Sequence, residues 1–283
     1  MTAFISSESS ALELSALESE PTTSEQRYQA ALKLAEVCAQ ILKKDFLADE
    51  VIIFGSLRGD TPWHSASDLD LAVRGLTKDQ LLAAHNRLQK IVPEWLPFDL
   101  LAVERADERV RDRILQITPM PKNIFLETKI RLEDEIFMIA KTVKTLNDLL
   151  AQANSIPPIA LTPATAGYIE DFYSGCERLA ERVAVTLDGG LPEGKSWHQQ
   201  LLTQVSKPGG RNRPPLWDQT LLSNLDQYRS FRHRVRHLYN IDLDDEKVLE
   251  LARQIPSLFI QVKQSVNRFN LWLVEKAEKD LLG

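Results

Sequence analysis

The period of the hydrophobic positions changes several times in the first part of the chain. Apolar residues recur at helical spacing over residues 27–46, which predicts one amphipathic helix. The run 51–54 (Val-Ile-Ile-Phe) then has the pattern of a short, fully buried strand. Further strands are predicted at 69–73 and 97–103, alternating with helices at 76–92 and 107–116. This alternation of strands and helices predicts an α/β unit.

The second part of the chain keeps a helical period throughout. Its start is marked by residues 118–121 (Thr-Pro-Met-Pro), where two prolines in four residues cannot continue a helix. Long helices are predicted at 124–153, 168–187, 216–239 and 244–279, with a short one at 197–205, a proline-rich connection at 156–163 and a kink or break at Pro256. The pattern therefore predicts an all-α unit.

Three segments follow from these patterns. Residues 1–26 are rich in Ser, Thr and Glu and lack aromatic residues after Phe4, so we expect a mobile tail. Residues 27–118 are predicted to form the α/β domain, and residues 119–283 the helical bundle domain. A chain of 283 residues with 43% hydrophobic content can fill a core in each domain.

Charge and cysteine content exclude several classes of protein. The chain has 40 acidic and 34 basic residues, a net charge of -6, so any RNA or phosphate site must be a local basic cluster. We find no secretory signal and no apolar run long enough to span a bilayer, and we expect a cytoplasmic protein without a membrane partner. The two cysteines, Cys38 and Cys176, are expected to be unpaired core residues in a reducing compartment.

A glycine turn and three acidic residues form the first group of candidate functional residues. Gly55 follows a predicted strand and lets the backbone approach a phosphate, and the hydroxyl of Ser56 adds a donor. Asp68 and Asp70 point to one face of the next strand, because side chains alternate along a strand. Asp99 is on the third predicted strand, and placed beside Asp68 and Asp70 it would complete the group. These carboxylates are suited to two Mg²⁺ ions, with Asp99 as a proton acceptor.

These residues resemble the minimal nucleotidyltransferases of the polymerase-beta-like superfamily. The resemblance covers about residues 51–103 and rests on Gly55-Ser56, Arg58-Gly59-Asp60, Ser67-Asp68-Leu69-Asp70-Leu71 and Asp99. It implies a mixed sheet and the transfer of a nucleotidyl group, AMP from ATP for example, with two Mg²⁺. Two simpler interpretations stay open: the acids are solvated strand ends, or Arg58 makes a surface salt bridge instead of a triphosphate contact.

A second group lies on the helix predicted at 216–239. Residues 229–239 contain four arginines and two histidines, the one strong basic cluster in an acidic chain. Arg232 and Arg236 lie on one helical face and repel each other, so an anion or acids from a neighbouring helix should compensate them. Histidine transfers protons near neutral pH and arginine binds phosphate, and together they are sufficient for metal-independent RNA cleavage.

The spacing of Arg232, His237 and Tyr239 resembles the R-x4-H-x-Y signature of HEPN-domain toxins. The resemblance extends over about residues 126–279 and includes Phe172-Tyr173-Ser174-Gly175, Asp188-Gly189-Gly190-Leu191-Pro192 and Trp197-His198. It implies a helical bundle that forms a homodimer and cleaves RNA, tRNA included. The usual partner of such toxins is a separate nucleotidyltransferase antitoxin that adenylylates the motif tyrosine, which corresponds to Tyr239. Here both parts occur in one chain.

The two resemblances together indicate a toxin–antitoxin fusion with two chemistries. The first domain would transfer AMP from Mg·ATP to Tyr239, and the second would cleave RNA with Arg232 and His237. A small-molecule nucleotidyltransferase with a helical acceptor-binding domain, as in aminoglycoside-modifying enzymes, is the alternative, and an inactive RNA-binding dimer is a third hypothesis. In a simpler interpretation, the arginines of this cluster only form salt bridges. Zinc binding by His233 and His237 is a further alternative, but no additional Cys or His in a suitable pattern would complete the ligand set.

Overall fold

The computed structural model describes residues 21–59, 63–64, 67–117, 120–194, 196–235 and 243–282. The chain divides into two compact units, Met1–Pro119 and Met120–Gly283. Each unit has its own hydrophobic core. None of the helices in the described ranges is both long and apolar enough to cross a membrane.

The first unit is an α/β unit with a small mixed sheet. Antiparallel β1–β2 pairing and parallel β2–β3 pairing give the strand order β1-β2-β3, which confirms a mixed sheet. Its elements, in chain order, are α1 (Ser24–Lys44), β1 (Glu50–Phe54), a 3-10 turn (Gly55–Arg58), β2 (Leu69–Arg74), α2 (Lys78–Leu88), β3 (Phe98–Ala102), a 3-10 turn (Val103–Arg105) and α3 (Glu108–Ile114).

Strand β2 is the centre of this unit. Leu69, Leu71 and Val73 alternate along it and are fully buried in the cluster that includes residues of α1 and α2. Cys38 of α1 is fully buried in the same cluster and is a free thiol, as predicted. Burial raises the pKa of this thiol to about 12, so it stays protonated at neutral pH.

One boundary and the burial of one strand differ from the prediction. Helix α1 begins at Ser24, before the predicted start at residue 27, because the hydroxyl of Thr23 accepts a hydrogen bond from the Gln26 backbone N–H at 3.2 Å and caps the helix. Strand β1 is half-buried rather than fully buried, since it is an edge strand paired on one side by β2.

The described residues of the second unit contain helices and no strand, as predicted. Its core is formed by large side chains with almost no exposed surface, such as Phe172, Tyr173, Trp217 and Phe269. The helices are α4 (Ile124–Ala151), α5 (Pro158–Leu187), α6 (Trp197–Val205), α7 (Gln219–Val235) and α8 (Asp245–Leu282), with 3-10 turns at Ala153–Ser155 and Gly210–Asn212.

Prolines disturb these helices less than the sequence predicts. Helix α5 begins at Pro158, ten residues earlier than expected, because a proline at the first helical position loses no needed N–H group. Pro163 lies inside α5, and Pro256 lies inside α8 without ending it. Ile255 and Leu258 on either side of Pro256 are buried in the core, so packing holds the helix together across the proline.

A buried ion pair fixes the loop between α6 and α7 to the end of α5. The Arg213 side chain is fully buried, and its Nε donates to Asp188 Oδ1 at 2.6 Å. Its NH1 donates to the carbonyl of Lys207 at 2.9 Å, and the Gly210 N–H donates to Asp188 Oδ1 at 3.0 Å. Burial alone would raise the pKa of Asp188, but the hydrogen bonds and charge of Arg213 outweigh it and hold that pKa below its ordinary value.

We expect Asp188→Asn to destabilise the second unit by about 3–5 kcal/mol at pH 7, because it leaves a buried guanidinium without its counter-charge. Urea unfolding followed by circular dichroism measures the change. Lys129→Ala is the matched control, since Lys129 forms a partly exposed i,i+4 pair with Glu133 and its loss should cost at most about 0.5 kcal/mol.

The destabilisation caused by Asp188→Asn is expected to depend on pH. The folded-state pKa of Asp188 lies below its ordinary value of 3.8, so the pair stabilises fully above that pH and loses its contribution as the pH falls through lower values. The stability difference between wild type and Asp188→Asn should therefore shrink below pH 3.8. A difference that stays constant across that range would contradict the charge assignment.

Candidate functional site

Three carboxylates meet where β2 and β3 begin. Asp68 directly precedes β2, and the parallel register places Asp70 of β2 opposite Asp99 of β3. One oxygen of each carboxylate lies within 4.8 Å of the other two. Leu69, between Asp68 and Asp70, is fully buried in the core, so the alternation of side chains along the strand directs both acids to the opposite face.

The surroundings of the three acids fit a divalent cation. Asp68 and Asp70 are half-buried and Asp99 is exposed, so the cluster forms a partly open site. Like charges at this separation repel each other, and a cation between them offsets the repulsion. Carboxylate oxygens are the ligands that Mg²⁺ prefers, and the three residues are therefore suited to hold it.

Gly55 lies directly against one of these acids. Its backbone φ is +71°, a left-handed conformation that favours glycine, and a Cβ there would stand 1.9 Å from Asp70 Oδ2. The antiparallel register explains this contact, because Phe54, the residue before it, pairs with Asp70. Position 55 therefore favours glycine for two reasons: the backbone is left-handed, and a Cβ would overlap the Asp70 carboxylate.

Ser56 follows in the same turn and is buried. Its hydroxyl has no hydrogen-bond partner among the described residues. Buried hydroxyl groups in proteins are rarely left without a partner, because the loss of hydration is costly. This hydroxyl, on the residue after Gly55, therefore fits the predicted role of Ser56 as a donor to a bound phosphate.

Arg58 forms hydrogen bonds within the first unit. Its guanidinium donates to the carbonyl oxygens of Ile114 at 2.8 Å and Arg113 at 3.0 Å. Both carbonyls belong to the last turn of α3, so Arg58 caps the C-terminal end of that helix. A contact between Arg58 and a triphosphate stays a prediction, and it competes with this cap.

The second unit contains a cluster that we call the Glu177 cluster, formed by Tyr173, Glu177, His198 and Arg232. Glu177 Oε1 lies 2.6 Å from His198 Nδ1 and accepts a hydrogen bond from the Tyr173 hydroxyl at 2.9 Å. Arg232 donates from NH1 to the other oxygen, Oε2, at 3.1 Å. The Glu177 side chain is 5% exposed and the Arg232 side chain 14%, so this is a largely buried ion pair.

Three helices bring these side chains together. Tyr173 and Glu177 are four residues apart on α5 and so share one face, His198 is the second residue of α6, and Arg232 comes from the last turn of α7. The His198 ring also stacks on Trp197, with ring centroids 3.8 Å apart. The imidazole is therefore held both at Nδ1 and across its face.

The charges of the cluster support one another. Burial alone would raise the pKa of the Glu177 carboxyl, but the hydrogen bond from His198 and the charge of Arg232 outweigh it and hold the pKa below its usual value. Burial and the neighbouring Glu177 raise the pKa of Tyr173, so its hydroxyl stays protonated and donates. The carboxylate is thus ionised at neutral pH and accepts every hydrogen bond that it makes.

The sequence had predicted parts of this arrangement. It predicted that an anion, or acids from a neighbouring helix, would compensate Arg232 and Arg236, and Glu177 of α5 pairs with Arg232. Glu177 itself was missed, although a glutamate four residues after a tyrosine on an apolar helical face was a signal for it. Of the predicted residues Arg232, His237 and Tyr239, the last two lie outside the described residues.

Comparison with known proteins gives one similarity. Residues 164–273 match a family model described as HepT-like protein. The matched segment contains the whole Glu177 cluster and supports the HEPN resemblance of the second unit. Searches of curated proteins and of solved structures gave no match. The nucleotidyltransferase resemblance of the first unit therefore depends on its own residues.

Two glycines of the same turn test the contact between Gly55 and Asp70. Gly59 also has a positive φ, +85°, but a Cβ there would meet nothing within 4 Å. We expect Gly59→Ala to cost about 1 kcal/mol from backbone strain alone. Gly55→Ala should cost at least about 1 kcal/mol more, because it also displaces the Asp70 carboxylate. Equal costs in chemical unfolding would contradict the close contact.

Proposed function

We propose that this chain joins a Mg²⁺-dependent adenylyltransferase to a HEPN ribonuclease, and that AMP transferred to Tyr239 silences RNA cleavage. The observation that carries the proposal is the meeting of Asp68, Asp70 and Asp99 beside the turn of Gly55 and Ser56. Acids on adjacent strands next to an orphaned buried hydroxyl suit the handling of a nucleoside triphosphate with its metal ions.

The candidate site residues of the first unit have the following roles in this proposal. Asp68, Asp70 and Asp99 would hold two Mg²⁺ ions, which supply charge neutralisation at the triphosphate when bound. Asp99, the exposed acid, takes the proton of the attacking hydroxyl. The hydroxyl oxygen bonds to the α-phosphorus of ATP, and the bond from that phosphorus to pyrophosphate breaks. Ser56 donates to a phosphate oxygen, and Gly55 leaves room for it.

RNA cleavage by the second unit is supported by the HepT-like match and by the position of Arg232. In the proposed reaction the guanidinium of Arg232 stabilises the phosphate charge and His237 transfers a proton. An AMP group on Tyr239 adds a bulky anion two residues from His237 and blocks this chemistry. RNA, tRNA included, is the proposed substrate, and a homodimer through the HEPN unit is the proposed assembly.

The adenylyl transfer is tested by intact mass spectrometry of the full chain after incubation with ATP and Mg²⁺. We expect a mass gain of one or more AMP units that maps to Tyr239. The gain should be absent from the double variant Asp68→Asn, Asp70→Asn and present in Asp79→Asn, a control at an exposed acid of α2. Label transferred only to an added aminoglycoside would favour the small-molecule alternative, and no ATP turnover would contradict a transferase.

The silencing of the ribonuclease is tested by growth of cells that express the full chain. We expect the double variant Asp68→Asn, Asp70→Asn to slow growth strongly relative to wild type, because Tyr239 is no longer modified. Adding His237→Ala to this variant should restore growth, since the proton-transfer residue is lost. Equal growth of wild type and the double variant would count against the proposed switch.

A further inference from the structure

One carboxylate holds two groups that are suited to phosphate chemistry. Glu177 binds the imidazole of His198 through Oε1 and the guanidinium of Arg232 through Oε2. These two basic side chains come from different helices, α6 and α7, and no pattern within either helix would pair them. Because both side chains contact opposite oxygens of the same carboxylate, a phosphate near Arg232 would also lie near His198.

We propose that His198 is a catalytic proton-transfer residue of the RNA-cleaving site and that Glu177 is its positioning residue. The proposal rests on the proposed ribonuclease function and adds a residue that the sequence signature does not contain. Arg232 connects the two, because it belongs to the signature and shares the carboxylate of Glu177 with His198.

The chemistry of RNA cleavage requires more than one proton transfer. The 2′-oxygen bonds to phosphorus, the bond from phosphorus to the 5′-oxygen breaks, a proton leaves the 2′-hydroxyl and another is delivered to the 5′-oxygen. We assign one of these two transfers to the imidazole of His198. Imidazole is suited to either transfer, because it exchanges protons near neutral pH.

The hydrogen bond to Glu177 determines which ring nitrogen is able to act. The ionised carboxylate only accepts, so His198 Nδ1 carries the hydrogen that it donates. The other nitrogen, Nε2, has no hydrogen-bond partner in the described part of the chain, and the side chain is 32% exposed. An imidazole held at one nitrogen by a buried carboxylate and accessible to solvent is the arrangement that proton-transfer histidines use.

Among the described residues, the charged and titratable groups joined to His198 through Glu177 come from two neighbouring helices. Helix α5 contributes Glu177 and the protonated hydroxyl of Tyr173, and helix α7 contributes Arg232. Arg229, on the same helix, is paired with Asp226 at 2.6 Å. Helix α6 has no other charged residue.

The competing explanation is that His198 only packs, through its stack on Trp197 and its bond to Glu177. His198→Asn separates the two roles. The asparagine amide is able to keep a donor near the position of Nδ1, so the bond to Glu177 survives, whereas the atom corresponding to Nε2 is removed. His85→Asn is the matched control, since His85 lies on α2 in the first unit and its ring packs against that of Phe98 in a tilted arrangement, with centroids 5.0 Å apart.

The experiment measures cleavage of an RNA oligonucleotide between pH 5 and 9. It uses the full chain with Asp68→Asn and Asp70→Asn, which removes silencing by adenylylation. We expect His198→Asn to lower the cleavage rate by about 10²–10⁴-fold and to remove one ionisation from the pH profile, with an unchanged melting temperature. His85→Asn should cleave as the parent does. Added imidazole should partly restore His198→Ala.

The outcomes separate this proposal from the proposed function. If the parent cleaves RNA and His198→Asn has the same rate and pH profile, His198 is not a proton-transfer residue, although the ribonuclease function stands. A slower variant with an unchanged pH profile and no rescue by imidazole indicates a packing role and also overturns the proposal. If the parent does not cleave RNA at any pH, the ribonuclease function fails, and this proposal fails with it.

Discussion

A buried charge must be paired, and this constraint organises the helical unit around α5. The end of α5 is tied to the following loop through Asp188 and Arg213, and its middle is tied to α6 and α7 through Glu177. Helix α4 is joined to it by the buried Glu135, which pairs with Arg178 and Arg182. Removing one partner of such a pair leaves a charge in a poorly hydrated site, so these contacts specify how the helices pack.

The first unit shows the opposite arrangement, since it collects charges of one sign. Asp68, Asp70 and Asp99 are brought together by strand register, not by attraction. The backbone has adapted to this arrangement, because Gly55 leaves space for the Asp70 carboxylate. A group of three carboxylates held this close together is suited to bind a cation.

The sequence predicted the local parts of this structure better than the long-range parts. The spacing of hydrophobic residues predicted most of the helices and all three strands. The alternation of side chains along a strand predicted that Asp68 and Asp70 share one face. The cap that Arg58 forms on α3 and the ion pair between Glu177 and Arg232 were missed, because each joins residues more than fifty positions apart. Residues 156–163 were predicted as a connection, but Pro163 lies inside α5, since buried neighbours hold a helix that local preference would interrupt. The helix predicted over 244–279 continues through Pro256 without a break.

The distribution of cysteine has a practical consequence. Each unit has one thiol in its core, Cys38 in the first and Cys176 in the second, and both are fully buried. Burial raises the pKa of both thiols, so neither reacts as a thiolate while its surroundings stay closed. Alkylation of each sulfur therefore requires transient opening of its own unit, and the chain contains two native reporters of local unfolding.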